Sequence, residues 1–177
     1  MYNSYNYFYL FSNENIRNDK NINKVIDSVK YAMMTTITAD EKHLHACPMT
    51  TNKNELENGK IWFIGDRKSE TIKDLEKNPQ VNLSYTSSDQ KDFVSINGTA
   101  KLVNDKAKLD ELWSPIYAAF YEKGKEDPNV QVLCIECNGA QYWLSGNTVV
   151  DMFKMVSAAV QEGKTAENMG ENHSVTF

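Results

Sequence analysis

Three side chains that can bind a metal or move a proton, His43, His45 and Cys47, alternate along a β-prone stretch. On a strand, alternation turns all three to one face. Two imidazoles and a thiolate so placed could hold zinc or another soft metal. Same-face neighbours on a strand lie ~6.5–7 Å apart, however, wider than the first shell of one ion. The pattern therefore points to a face that meets water, a partner chain or a bound ligand, and no metal site is expected. Cys134-Ile135-Glu136-Cys137 spells C-x-x-C, but the redox form of that motif needs its first cysteine at a helix N-terminus. In a β-prone run, i and i+3 point to opposite faces, so these cysteines read as structural. G-x-G-x-x-G, G-x-S-x-G and P-loop patterns are absent from the sequence, as is any ordered Ser-His-Asp set.

What remains is a candidate anion site between Ile61 and Tyr85, IWFIGDRKSETIKDLEKNPQVNLSY. Ile61-Trp62-Phe63-Ile64 has the β-branched and aromatic content of a buried strand. Gly65-Asp66 breaks it, and Ser69 is placed to cap a two-turn helix with Ile72 and Leu75 on its apolar side. Asn78-Pro79 stops that helix, because the residue before proline is driven out of the α region. Val81, Leu83 and Tyr85 alternate with polar residues as in a half-buried strand. A glycine, a hydroxyl cap and free helix N–H groups thus converge where a phosphate could sit, with Arg67 and Lys68 beside them. The same pattern also suits an ordinary capped connection between two strands. Trp62, Trp113 and Trp143 could be core, or could pack against a flat heterocycle.

The elements that must position this junction can be read in chain order. Asn21 to Met33 carries Ile22, Val25, Ile26, Val29 and Met33 at helical spacing. Met34–Thr38 and His43–Thr51 flank a polar turn and read as a hairpin. Asn52 to Lys60 is polar, with Asn58-Gly59 as a turn signal. Phe93 to Val103 is a long strand in which Gly98 marks a bulge or bend. Asp105 caps a second helix bearing Leu109, Leu112, Trp113, Ile116, Tyr117 and Phe120, interrupted at Ser114-Pro115. Val130–Glu136 and Gln141–Leu144 read as strands about a turn at Asn138-Gly139. Val149–Val160 reads as a last helix, followed by a polar, extended tail. Six or seven short antiparallel strands with a bend glycine and helices at the edges predict a mainly β, α+β fold: a small barrel that solves its edge problem by closure.

Composition bounds the function. The 177 residues suit one domain with a sizeable core. The net charge of −5 argues against a general nucleic-acid partner, which would need clustered Lys and Arg. No run approaches the ~18 apolar residues of a membrane span. Three cysteines, an odd number, suggest a reducing cytoplasm. The Tyr- and Asn-rich start, residues 1–20, lacks a positive n-region and a cleavage site and reads as a loosely held extension. The expected organisation is an extension (1–20), a domain (21–163) and a tail (164–177).

Six motifs in order tie these pieces together: His-x-Cys-Pro-Met, Ile-Trp-Phe-Ile-Gly-Asp-Arg-x-Ser, Asn-Pro-Gln-Val-Asn-Leu-Ser-Tyr, Val-Ser-Ile-Asn-Gly-Thr-Ala, Leu-Trp-Ser-Pro and Tyr-Trp. From about residue 22 onward, including Gly170-Glu171-Asn172, the chain resembles the general stress protein 26 branch of the pyridoxamine 5′-phosphate oxidase-like, FMN-binding split-barrel proteins. The resemblance implies a split β-barrel homodimer with FMN in two clefts at its interface, and a flavoprotein oxidoreductase of unknown substrate. It implies that Pro48, Met49 and Thr50 line the isoalloxazine ring, that Ile64, Gly65 and Asp66 flank the ring and ribityl chain, and that Cys47 also belongs to the cofactor site. Ser69 and Thr71 would hold the phosphate, and Trp143 would approach the flavin from the other subunit. Cys47 stands where relatives commonly carry arginine, and Thr71 where many carry a phosphate-binding lysine. The C-terminal arginine-histidine run of the true oxidases is also missing, so oxidation of pyridoxamine phosphate is not expected. A flavin carrier or sensor without turnover, or a split barrel holding heme or a deazaflavin, are the alternatives.

Overall fold

The computed structural model describes residues 20–145 and 171–177. Eight antiparallel strands and three α-helices follow one another in these segments. They are α1 (20–28), β1 (Tyr31–Ile37), β2 (Leu44–Thr50), β3 (Asn52–Glu57), β4 (Lys60–Asp66), α2 (Glu70–Lys77), β5 (Gln80–Thr86), β6 (Phe93–Val103), α3 (Lys106–Leu112), β7 (Val130–Leu144) and β8 (Glu171–Thr176). Two 3-10 turns, Pro115–Ala119 and Gly124–Glu126, lie between α3 and β7.

The strands hydrogen-bond in the order β2-β1-β5-β6-β7-β4-β3, with β8 added to the far half of β7. The two ends of that order, β2 and β3, are neighbours in sequence and meet at Thr51. The sheet therefore curls back on itself, and β2 faces β4 across a seam without a ladder among the described residues. This is the expected α+β split barrel. Alternation fills its interior: Met34 of β1, Phe63 of β4, Leu83 of β5, Ile96 of β6 and Ile135 of β7 are buried, with Ile22, Val25 and Ile26 of α1 packed on the same core. Each such side chain contributes about 1.5–3 kcal/mol of apolar burial. A second cluster, Ile64, Leu112, Tyr117, Tyr121, Val130 and Val132, joins α3 and the first 3-10 turn to β4 and β7.

Several sequence expectations need correction. The first helix ends at residue 28, and Tyr31–Ile37 is already a strand, which leaves Met33 exposed on its outer face. The polar stretch 52–57 is a strand, β3, which turns into β4 through Asn58 and Gly59, both at positive φ (51° and 71°). That two-residue geometry matches the right-handed twist of a hairpin. β7 does not turn at Asn138-Gly139; it runs through them, and the ladder shifts register between Asn97 and Gly98 on β6. The tail ends in β8 rather than as a free extension. The expected helix Val149–Val160 and residues 1–19 of the expected extension lie outside the described residues.

Gly98 is the bulge that its place in the strand predicted. A Cβ there would lie 2.7 Å from the Glu136 carbonyl oxygen and 2.7 Å from Ile135 Cγ2. Backbone on the neighbouring strand would have to move. Gly98→Ala is expected to destabilise the fold by about 1–3 kcal/mol, read as a fall in Tm of roughly 2–12 °C. An unchanged Tm would show that the bulge yields freely.

Candidate functional site

The seam between β2 and β4 opens into a cleft, and the β4–α2 turn forms its polar end. β4 finishes in Gly65-Asp66. Asp66 Oδ1 accepts from the Lys68 amide at 2.8 Å, and its carbonyl accepts from the Ser69 amide at 2.9 Å. This tight turn delivers Ser69 to the N-cap, where Oγ accepts from the Ile72 amide at 3.3 Å. Ile72 and Leu75 bury the apolar side of α2, as expected, and Asn78 ends it. In any helix the first amides lack intrahelical acceptors, so the Glu70 and Thr71 N–H groups are left to face the cleft with the Ser69 and Thr71 hydroxyls.

The cleft has two lobes. The polar lobe, about 330 Å³, is lined by His45, Cys47 and Met49 from β2, Gly65 and Asp66 from β4, and Ser69–Ile72. The second, about 320 Å³, is bounded by Pro48, Met49 and Thr50, by Ile64, Gly65 and Asp66, and by an aromatic wall of Tyr117, Phe120 and Tyr121. The lobes meet at Met49, Gly65 and Asp66. At Gly65 a Cβ would sit 3.1 Å from Leu133 Cδ1 and 3.5 Å from Met49 Cε, so only a residue without a side chain leaves this floor unobstructed.

Of the residues expected to form a site, Cys47, Pro48, Met49, Thr50, Ile64, Gly65, Asp66, Ser69 and Thr71 all line one lobe or both. Trp143 does not. It pairs with Phe93 on the outer face of the sheet, where Trp143 is 37 % and Phe93 43 % exposed. Strand register places Tyr31, Met33 and Leu44, all exposed, on that same face. Cys47 Sγ lies 3.0 Å from Thr71 Oγ1, so two of the expected site residues touch each other. Arg67 instead donates to Asn104 Oδ1 at 3.3 Å, and Lys73 pairs with Glu70 at 2.7 Å. The predicted alternation holds only for His45 and Cys47, because His43 lies in the turn before β2. Cys134 and Cys137 are buried and form no disulfide among the described residues, and burial pushes the Cys134 thiol up.

Two features escaped the sequence reading. One is the aromatic wall. The break at Ser114-Pro115 allows either a kink or a second short helix with Pro115 at its first position; Pro115 does start a separate element, a 3-10 turn, and what the sequence did not show is that it brings Tyr117 and Phe120 to the seam. Tyr117 OH donates to Asn52 Oδ1 at 2.9 Å; Asn52 Nδ2 is buried and finds no acceptor among the described residues. Burial first, and then the nearby Asp66, Tyr117 and Asp127, push the Tyr121 phenol up to about 12, so it is neutral at physiological pH. The other is a buried carboxylate. Asp74 accepts from Thr36 Oγ1 at 2.9 Å, from the Ala39 amide at 2.9 Å and from His45 Nδ1 at 3.0 Å. Burial raises its pKa, but the hydrogen bonds from His45, Thr36 and Ala39 together outweigh that and hold it below the ordinary carboxylate value.

Comparison with known proteins places this architecture. Residues 17–166 match the family model described as pyridoxamine 5′-phosphate oxidase like. The chain belongs to the pyridoxamine 5′-phosphate oxidase-like family. Within the family its 30 % identical relatives are general stress proteins. It is 30 % identical to the general stress FMN/FAD binding protein of the phytopathogen Xanthomonas citri, over 73 % of this chain and 92 % of that one, with a TM-score of 0.62. The General Stress Protein 26 of Bacillus anthracis shares its fold at 22 % identity, over 70 % of this chain and 92 % of that one, with a TM-score of 0.61. Protein bli-3 of Neurospora crassa is 27 % identical over 159 residues, covering 84 % of this chain and 76 % of that protein. No helix among the described residues of this family member is long and apolar enough to cross a membrane.

Proposed function

We propose that this chain is an FMN-binding flavoprotein of the general stress type, that it works as a homodimer, and that it is an oxidoreductase. The two-lobed cleft carries the reading. A lobe built on a helix N-terminus suits a phosphate, and a lobe with an aromatic wall suits a flat tricyclic ring. The residues present fit the group. Ser69, Thr71 and the Glu70 and Thr71 amides would hold the phosphate, Gly65 leaves room for the ribityl chain, and Pro48–Thr50 and Ile64 would bound the ring. Bound flavin supplies electron and hydride transfer, and the protein contributes binding, orientation and exclusion of water. The printed description of the Xanthomonas citri relative, an FMN/FAD binding protein, supports the same choice of cofactor.

The homodimer rests on the outer face. Tyr31, Met33, Leu44, Phe93 and Trp143 form an exposed apolar surface of the kind that marks an interface. Burying it against a second copy would explain why Trp143 stands away from its own cleft, and would let Trp143 of the partner subunit approach the ring. A reducing cytoplasm suits Cys47, Cys134 and Cys137, none of which forms a disulfide among the described residues.

Purified protein is expected to be yellow, or to take up added FMN with quenching of flavin fluorescence, and to sediment as a dimer. A colourless protein that ignores FMN would contradict the reading. A Soret band would indicate heme, and a blue-shifted flavin-like band a deazaflavin. Oxidation of NADH or NADPH by the FMN form would support turnover; stable binding without reduction would make the protein a carrier or sensor.

A further inference from the structure

We propose that His45, its ring held by the buried carboxylate of Asp74, is the side chain that donates to the flavin phosphate in this cleft. The proposal rests on the flavin reading above and specifies its polar end. Among the described residues, no lysine or arginine lines either lobe, and His45 is the one side chain of the polar lobe able to carry positive charge. Asp74 is 4 % exposed at its side chain and His45 34 %, so the pair spans from the interior to the cleft wall. Asp74 is fully engaged as an acceptor, by Thr36 Oγ1, the Ala39 amide and His45 Nδ1. A buried carboxylate so engaged is ionised and calls for a countercharge. His45 provides it when its ring is doubly protonated; Nδ1–H donates to Asp74 in the neutral and the charged ring alike, and only the charged ring adds a donor at Nε2. The ring is thereby fixed in one orientation, and Nε2 remains as its second donor when the imidazole is charged. His45 lies two residues before Cys47 on the same face of β2, and both line the lobe that Ser69 and Thr71 close from the other side.

The surrounding charges explain why the anchor matters. Glu70 and Asp74 on α2, Asp66 at the end of β4 and Asp40 in the β1–β2 turn are all acidic, and Lys73 on α2 is in an ion pair with Glu70. A phosphate entering this lobe meets helix amides and hydroxyls but also carboxylates. A charge-assisted donor on the wall of this lobe would therefore decide whether the phosphorylated flavin is preferred over riboflavin.

The test compares FMN and riboflavin on the full chain by fluorescence titration. Wild type should prefer FMN. His45→Ala is expected to weaken FMN about tenfold or more and leave riboflavin unchanged, with a partial return in His45→Gln, which restores a neutral donor. Asp74→Asn should lower the FMN-to-riboflavin preference as well, because it releases the ring; Asp74 acts here as a positioning residue. Equal loss of both flavins in His45→Ala, or an unchanged preference, would overturn the proposal while leaving the flavin site intact. Wild type that binds neither flavin would instead overturn the reading on which the proposal rests.

Discussion

Cys47→Arg is expected to tighten FMN binding by about tenfold to a hundredfold and to leave riboflavin binding nearly unchanged. Cys47 is half-buried on β2, lines the polar lobe and touches Thr71 Oγ1 at 3.0 Å. Arginine at this position would carry its guanidinium to the mouth of the same lobe, where it could take two phosphate oxygens at once. One charge-assisted contact of this kind contributes about 1.5–3 kcal/mol, which sets the expected range. Part of that gain is offset by Glu70 and Asp66, which can compete for the new cation. Thr71→Lys is the less favourable restoration. Thr71 is 5 % exposed, so a lysine there must first displace the packing around Cys47 before its ammonium reaches the lobe. Fluorescence titration of both flavins checks this, and tightening of riboflavin to the same degree would place the new arginine away from the phosphate.

Asp74→Ala is expected to cost about 2–4 kcal/mol of folding stability. The substitution leaves buried Thr36 Oγ1 with only its longer, 3.4 Å hydrogen bond to the His45 carbonyl, and removes the acceptor of the Ala39 amide and of His45 Nδ1. Chemical denaturation near neutral pH measures the loss. Its pH dependence has a definite sign. Hydrogen bonding holds the folded-state pKa of Asp74 below its unfolded value. The stabilisation is therefore fully present above the ordinary carboxylate pKa and is lost as pH falls through the depressed folded value. The gap between wild type and Asp74→Ala should be widest near neutral pH and close in acid. A gap that stays constant through the acid range would mean that Asp74 is held by packing and not by its charge.

The sequence made the β4–α2–β5 unit legible because its signals are local. Gly65, Ser69 and Pro79 each act on the backbone within a few residues, and the strand-cap-stop order survives in the structure. β3 was not legible. Asn-Lys-Asn-Glu-Leu-Glu has one apolar side chain, Leu56, and it becomes a strand because β4 pairs with it. The run through Asn138-Gly139 was misread for the opposite reason. A strong turn dipeptide is overridden by β6 on one side and β8 on the other. At the site, the β2 and β4 residues could be named from motif order, but their convergence depends on the barrel closing so that β2 faces β4. The Asp74–His45 contact spans 29 positions and has no local signature at all. Tyr117, Phe120 and Tyr121 carried one usable signal, the break at Ser114-Pro115, which separates them from α3 and frees them to cover the seam.

The central claim is that the seam between β2 and the β4–α2 turn is the flavin site. Amide chemical-shift mapping by heteronuclear NMR, with FMN titrated into the flavin-free protein, tests it most directly. The largest shifts are expected on the amides of Glu70 and Thr71 and along Cys47–Thr50 and Ile64–Asp66, with riboflavin reproducing the ring-lobe shifts but not those at Glu70 and Thr71. Saturable FMN binding whose shifts cluster elsewhere, such as the surface hollow between Lys106 and Asp127, would contradict it.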